Sequence, residues 1–194
     1  STDKASSPIN LYGATKLCAD KLVLSANNIK GNKKISFSVV RYGNVMGSRG
    51  SVVPFFLDTY KNKKKLPLTH FDMTRFNISL KESIELVEKA IKYGTGGEIF
   101  VPKLKSFYIR DLIEVITKKV NHFNIVGIRP GEKIHEELIS SAELKDTISS
   151  KDHFVVLSNS TTKQLMEYCK GKNYKKVNND FTYNSGTNKN FLSL

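Results

Sequence analysis

The chain has 194 residues, enough for one full core or for one domain plus part of another. Its 39% hydrophobic and 25% charged residues suit a globular protein, and no apolar run approaches the ~20 residues of a membrane span, so no membrane partner is expected. The net charge of +13 invites a nucleic-acid reading, but the excess is mostly scattered lysine, without finger spacing, RNP-like aromatics or an arginine-rich arm.

The basic surface is therefore read as solvated, with no nucleic-acid partner. Its one dense run, Lys61–Lys65, falls at a predicted helix end, where cations suit the helix dipole. Ser1–Ser7 contains Asp3 and no apolar core, so it does not read as a signal peptide. Cys18 and Cys169 have no metal-type spacing and suggest no disulfide framework, so no metal is expected and the chain reads as cytoplasmic.

In chain order, Pro8 and Asn10 make a turn, and Leu11–Asn28 follows as an amphipathic helix with Leu11, Thr15, Leu22 and Ala26 near helical spacing. Gly31 and Asn32 stop it. Ile35–Arg41 reads as a buried parallel strand. Ser51–Tyr60 reads as a helix with Pro54 in its first turn. Lys81–Tyr93 is a further helix, with Ile84, Val87 and Ile91 on one face and Gly94, Gly96 and Gly97 ending it. A short strand Glu98–Val101, a helix Ile109–Val120 and a strand Ile125–Ile128 complete the regular pattern. Beyond Ser150, His153–Leu157 reads as a strand and Thr161–Cys169 as a short helix. From Lys170 the chain becomes an irregular, surface-hugging tail. Alternating strands and helices predict an α/β fold.

Tyr12 and Lys16 lie four residues apart on the first predicted helix, so both side chains project from one face. A phenol with a pKa of ~10 is a poor base at neutral pH, and an ammonium one turn away favours the phenolate. Such a pair can take a proton from a sugar hydroxyl while a nicotinamide accepts hydride. Alone the spacing is weak evidence.

The wider sequence is more specific. Ser1-Thr2-Asp3-Lys4-Ala5 followed by Asn10-Leu11-Tyr12-Gly13-Ala14-Thr15-Lys16 resembles the active-site stretch of extended short-chain dehydrogenase/reductases. Arg41–Phe55, Met73-Thr74-Arg75-Phe76 and Arg129-Pro130-Gly131-Glu132-Lys133 continue the likeness in order, with a weaker echo over Phe181–Leu192. Within that superfamily the chain is similar to the UDP-N-acetylglucosamine 4,6-dehydratases. Tyr12, where the membrane-anchored retaining branch usually has methionine, points to the soluble type that inverts C5. Gly47 and His135 lean the same way against the capsule-type UDP-sugar epimerases, which share the YGxTK and MTRF stretches.

This resemblance implies a fold and a chemistry. The fold is the carboxyl-terminal part of a doubly wound, Rossmann-like parallel sheet with a smaller α/β substrate lobe. Residues 1–54 would be the remnant of an NADP-binding domain, 55–150 a mixed part with the UDP-sugar lobe, and 151–194 a partly irregular extension. Tyr12, helped by Lys16, would deprotonate the C4 hydroxyl of UDP-N-acetylglucosamine beside bound NADP, and both residues would touch that cofactor. Lys4 would take the C5 proton and Asp3 would give one to the leaving C6 hydroxyl. Thr2, Asn44, Arg75, Arg129 and Glu132 would bind the substrate, the arginines at phosphate oxygens and Glu132 at ribose hydroxyls. The product would feed a surface or flagellar glycan of the pseudaminic acid type, and the complete protein would be a homo-oligomer. Two other readings stay open: a capsule-type epimerase, and a non-catalytic basic nucleic-acid-binding module. No strand, glycine-rich turn and helix for a cofactor pyrophosphate is read anywhere, and Gly94-Thr95-Gly96-Gly97 follows a helix. The chain is therefore expected to be truncated at its amino terminus and inactive alone.

Overall fold

A computed structural model describes residues 1–62, 64–157, 162–170, 173–178 and 180–193. After a 3-10 turn at Asp3–Ala5 come α1 (Leu11–Ile29), β1 (Val39–Val40), β2 (Asn44–Val45), α2 (Val52–Lys61), β3 (Leu66–Leu68), β4 (Thr74–Ile78) and α3 (Leu80–Tyr93). Then follow β5 (Glu98–Pro102), β6 (Lys105–Tyr108), α4 (Ile109–Thr117), β7 (Phe123–Ile125) and β8 (Glu137–Ile139). A second 3-10 helix, Ser141–Asp146, leads into β9 (Thr147–Ser149), β10 (His153–Leu157), α5 (Thr162–Cys169), β11 (Lys175–Lys176) and β12 (Tyr183–Asn184). Thr161 and Lys63, parts of the expected last helix and lysine run, lie outside the described residues. No helix among the described residues is long and apolar enough to cross a membrane. The chain divides into two units built from interleaved stretches.

The first unit comprises Ser1–Tyr42, Lys81–Lys103 and Glu137–Tyr183. Its sheet runs β1-β5-β10-β9-β11, with β1 parallel to β5 and the later strands antiparallel. β5 and β10 are buried along their whole length, as continuous apolar strands should be. Leu86, Ala90, Phe100, Ile148, Val155, Leu157 and Leu165 form the core against which α3 and α5 pack.

Three sequence expectations need correction here. The strand expected over Ile35–Arg41 is parallel but only two residues long, and Ile35 is exposed. The side chain of Asn27 bonds the backbone of Phe37 on both sides (2.8 and 3.0 Å) and so replaces a strand partner there. On α1 the apolar stripe faces outward, with Leu11 and Leu22 exposed. The inward face is instead held by Gly13, Asp20 and Asn27. On α3 the buried residues are Ser83, Leu86 and Ala90, while Ile84, Val87 and Ile91 are exposed.

Arg41 is the anchor of this unit. Its side chain has no solvent exposure, yet its guanidinium meets Asp20 of α1 (3.1 Å), Glu143 of the second 3-10 helix (3.0 Å) and the Leu138 carbonyl of β8 (3.1 Å). Glu143 also closes a capping box with Ser140. Burial opposes ionisation of Glu143, but Arg41 and the Ser140 bonds outweigh it and hold its pKa below the ordinary value. Glu98, buried at the head of β5, is held down in the same way by Ser38, Thr95 and Gly96.

The second unit comprises Gly43–Leu80, Leu104–Glu136 and Asn184–Leu194. β2 runs parallel to β4, β6 runs antiparallel to it, and β3 pairs in parallel with β7. Phe56 of α2 and Ile109 and Ile113 of α4 close a core over Leu66, Leu68, Met73 and Phe107. The strand expected at Ile125–Ile128 lies earlier, at Phe123–Ile125, because its register follows β3. The tail is not purely surface-hugging: Tyr183 is buried in the first unit and Ser185 in the second.

Removing the Arg41 side chain leaves two buried carboxylates unpaired, so Arg41→Ala should cost about 3–5 kcal/mol in chemical denaturation. Because the folded pKa values of Glu98 and Glu143 are depressed, their stabilisation is full above the ordinary glutamate range. It should be lost as pH falls through the depressed values. Glu143→Gln should flatten that acid limb in a pH series of melting curves.

Candidate functional site

Within the first unit, the expected acid and base sit in one turn. Asp3 has no exposure, and its Oδ1 accepts from the Thr2 hydroxyl (2.9 Å) and the Lys4 ammonium (3.0 Å). Asp3 N–H donates to the Tyr42 carbonyl (3.1 Å), which fixes the turn beside the strand end. Asp3 Oδ2 is buried and has no hydrogen-bond partner.

The first turn of α1 is pressed onto that turn. Asn10 caps the helix by accepting from Gly13 N–H (2.8 Å). Gly13 is buried, and a Cβ there would sit 2.5 Å from the Lys4 carbonyl oxygen and 2.9 Å from Pro8 Cβ. Only glycine permits this approach. It fixes the start of the helix that carries Tyr12, which is 55% exposed, and Lys16, whose ammonium lies 5.3 Å from the Tyr12 ring centroid. A phenol and an ammonium on one helix face can exchange protons with a bound hydroxyl.

Within the second unit, the four remaining expected residues meet. Asn44, Arg75, Arg129 and Glu132 all line one cavity of about 510 Å³. Arg75 projects from β4. Its Nη1 donates to the carbonyls of Thr74 (2.7 Å) and Ile134 (3.1 Å), and its guanidinium lies 3.9 Å from Glu132 and 3.7 Å from Glu136. Glu132 also accepts from Thr69 (3.3 Å) and, more weakly, from the Arg129 N–H (3.4 Å). Asn44 Oδ1 and Ser51 Oγ are buried without a hydrogen-bond partner.

Sequence reasoning missed several cavity residues. Phe55, Phe56, Pro67, Met73 and Ile109 give it apolar walls, and Ser51 and Thr69 add hydroxyls. The likeness over Arg41–Phe55 held the signal for Ser51 and Phe55. Nothing in the sequence marked Pro67, on β3, or Thr69, just after it.

The α/β fold is shared with solved structures of longer chains. The protein Pen of Bacillus thuringiensis superimposes with a TM-score of 0.83 at 37% identity, over 100% of this chain and 58% of that one. A dTDP-glucose 4,6-dehydratase of Bacillus anthracis shares the fold at a TM-score of 0.55, over 64% and 42% of the two chains, at 17% identity. Residues 1–158 match the polysaccharide biosynthesis protein family, and the chain belongs to it. It is 44% identical, over 100% of its length, to 59% of a UDP-N-acetylglucosamine 4,6-dehydratase (inverting) of Campylobacter jejuni. A Rickettsia bellii UDP-glucose 4-epimerase is 43% identical over 74% of this chain and 43% of its own. The chain thus spans about three-fifths of the length of the first of these relatives.

Gly13→Ala should push α1 away from Lys4, lowering stability by about 1–3 kcal/mol, the scale of overpacking in a tight site. Hydrogen exchange should accelerate at residues 11–16.

Proposed function

We propose that this chain supplies the proton-transfer groups and the nucleotide pocket of a UDP-N-acetylglucosamine 4,6-dehydratase of the inverting type. The observation that carries the reading is the Thr2–Asp3–Lys4 turn, with an acid and an amine 3.0 Å apart and a carboxylate oxygen left without a partner. Elimination of water needs one group to take a proton and another to give one. An ammonium–carboxylate pair becomes an amine and a carboxylic acid by moving one proton across that bond. Lys4 would then take the C5 proton while Asp3 delivers one to the departing C6 hydroxyl. Thr2 would bond the sugar C4 oxygen. Tyr12, with the Lys16 ammonium beside its ring, would take the C4 hydroxyl proton.

The residues present fit the nicotinamide end of a dinucleotide: Tyr12 is open to solvent with the Lys16 ammonium beside its ring. NADP bound there would supply hydride acceptance from C4 and hydride return to C6. Among the described residues no strand, glycine-rich turn and helix offers a pyrophosphate cradle. The cavity of the second unit suits a nucleoside diphosphate. Arg75 and Arg129 offer charge-assisted donors, Glu132 an acceptor for ribose hydroxyls, and Phe55, Pro67 and Met73 apolar cover for a base. The unpartnered Asn44 and Ser51 oxygens would gain partners from such a ligand.

Two measurements test this. In calorimetric titration the 194-residue chain should bind UDP, and Arg129→Ala should weaken that binding by about tenfold, the scale of a hydrogen bond to a charged group. When the chain is joined to the amino-terminal segment of a relative, mass spectrometry should show loss of water from UDP-N-acetylglucosamine. There Tyr12→Phe should abolish hydride transfer, and Lys4→Ala should spare C4 oxidation while blocking water loss. The 43% identity to a UDP-glucose 4-epimerase supports the alternative, which predicts a product of unchanged mass.

A further inference from the structure

We propose that Asn184–Leu192 is a positioning strap for the cavity of the second unit, and that Ser185 and Gly186 hold Arg75 in its ligand-binding orientation. The inference rests on the nucleotide reading of that cavity but concerns residues that do not line it.

The groups that meet the Arg75 guanidinium come from two stretches. Thr74 supplies one carbonyl; residues 132–136 supply the Ile134 carbonyl and the Glu132 and Glu136 carboxylates. Ser185 joins these stretches. It has no solvent exposure, and its Oγ lies 2.7 Å from Thr74 Oγ1 and 3.3 Å from the Thr74 carbonyl. The same Oγ accepts from Glu136 N–H (2.9 Å), and Ser185 N–H donates to the Glu136 carbonyl (2.8 Å). One buried residue thus bonds both sides of the frame around Arg75.

The frame has a second pin. Thr74 Oγ1 also meets His135 Nδ1 (2.8 Å), and a Cβ on Gly186 would fall 2.5–2.7 Å from three atoms of that ring. No side chain fits at 186 without displacing His135. Burial first, then the charge of Arg75, lowers the His135 pKa, which keeps the ring neutral at pH 7 and able to accept from Thr74. Farther along, the strap is tied to β6. Asn188 Nδ2 donates to the Leu104 carbonyl (2.9 Å), Leu192 N–H donates to the Ser106 carbonyl (2.8 Å), and Phe191 stacks on Tyr108. These anchors set where Ser185 and Gly186 lie, so a tail with little periodicity has a defined conformation over the part that touches the frame.

A positioning role differs from mere stabilisation in what it spares. Arg75 is suited to phosphate, so loosening it should weaken diphosphate ligands and leave the nucleoside alone. In the full 194-residue chain, Ser185→Ala and Gly186→Ala should each weaken UDP binding on the order of tenfold, with uridine binding unchanged. The Arg75 Nε–H resonance of the ligand-free protein should show faster side-chain exchange in both variants than in the parent. Equal loss of UDP and uridine binding, or retained UDP binding with only a lower Tm, overturns the proposal. If the parent chain ignores UDP, the nucleotide reading fails, and the Arg75 resonance alone decides the strap: unchanged exchange in both variants sinks it.

Discussion

The guanidinium of Arg41 lies out of solvent between Asp20, Glu143 and the Leu138 carbonyl, and these contacts come from α1, the second 3-10 helix and β8. An arginine cannot shed its charge in a protein, so its burial is tolerable only if every neighbour is in place. That condition links pieces more than a hundred residues apart in sequence. Its backbone adds to this: Arg41 N–H donates to the Phe100 carbonyl and so extends the β1–β5 pairing. The adjacent Tyr42 carbonyl receives Asp3 N–H and holds the turn that presents Thr2, Asp3 and Lys4.

Polar anchoring also explains the unusual surface of the first unit. Amphipathic helices ordinarily settle with their apolar stripe inward. Here α1 is fixed by the Asp20 ion pair, by the bonds of Asn27 to Phe37, and by the glycine-only approach of residue 13 to Lys4. These directional contacts set the helix rotation, and Leu11, Leu22 and Ile29 are left facing out. The rotation matters for chemistry, because it determines where Tyr12 and Lys16 point.

The second unit solves a different problem. Its cavity needs charged donors held still in a wall that is otherwise largely apolar, and arginine side chains lose substantial freedom when ordered. Arg75 meets this with two main-chain acceptors and two carboxylates, while Glu132 is shared with Thr69. Such a wall offers orientation as well as charge, which the proposed diphosphate ligand would require of it.

The sequence by itself determined the α/β class, the existence of α1 through α4, the Tyr12–Lys16 face and the long motifs that carry the family likeness. These depend on local signals: helical period, the Pro8–Asn10 turn, glycine stops and contiguous motif residues. It also named Asn44, Arg75, Arg129 and Glu132, although only through resemblance. The tertiary structure alone decided that those four share a cavity, because parallel pairing of β2 with β4 sets Asn44 opposite Asn77 on the strand that carries Arg75. It alone decided which face of α1 is buried, since ion pairs and side-chain-to-backbone bonds leave no periodic trace. The same holds for Ser185, whose buried hydroxyl bridges residues 111 positions away at Thr74. A period reports what a segment prefers on its own, whereas a long-range polar contact exists only once the chain has brought both partners together.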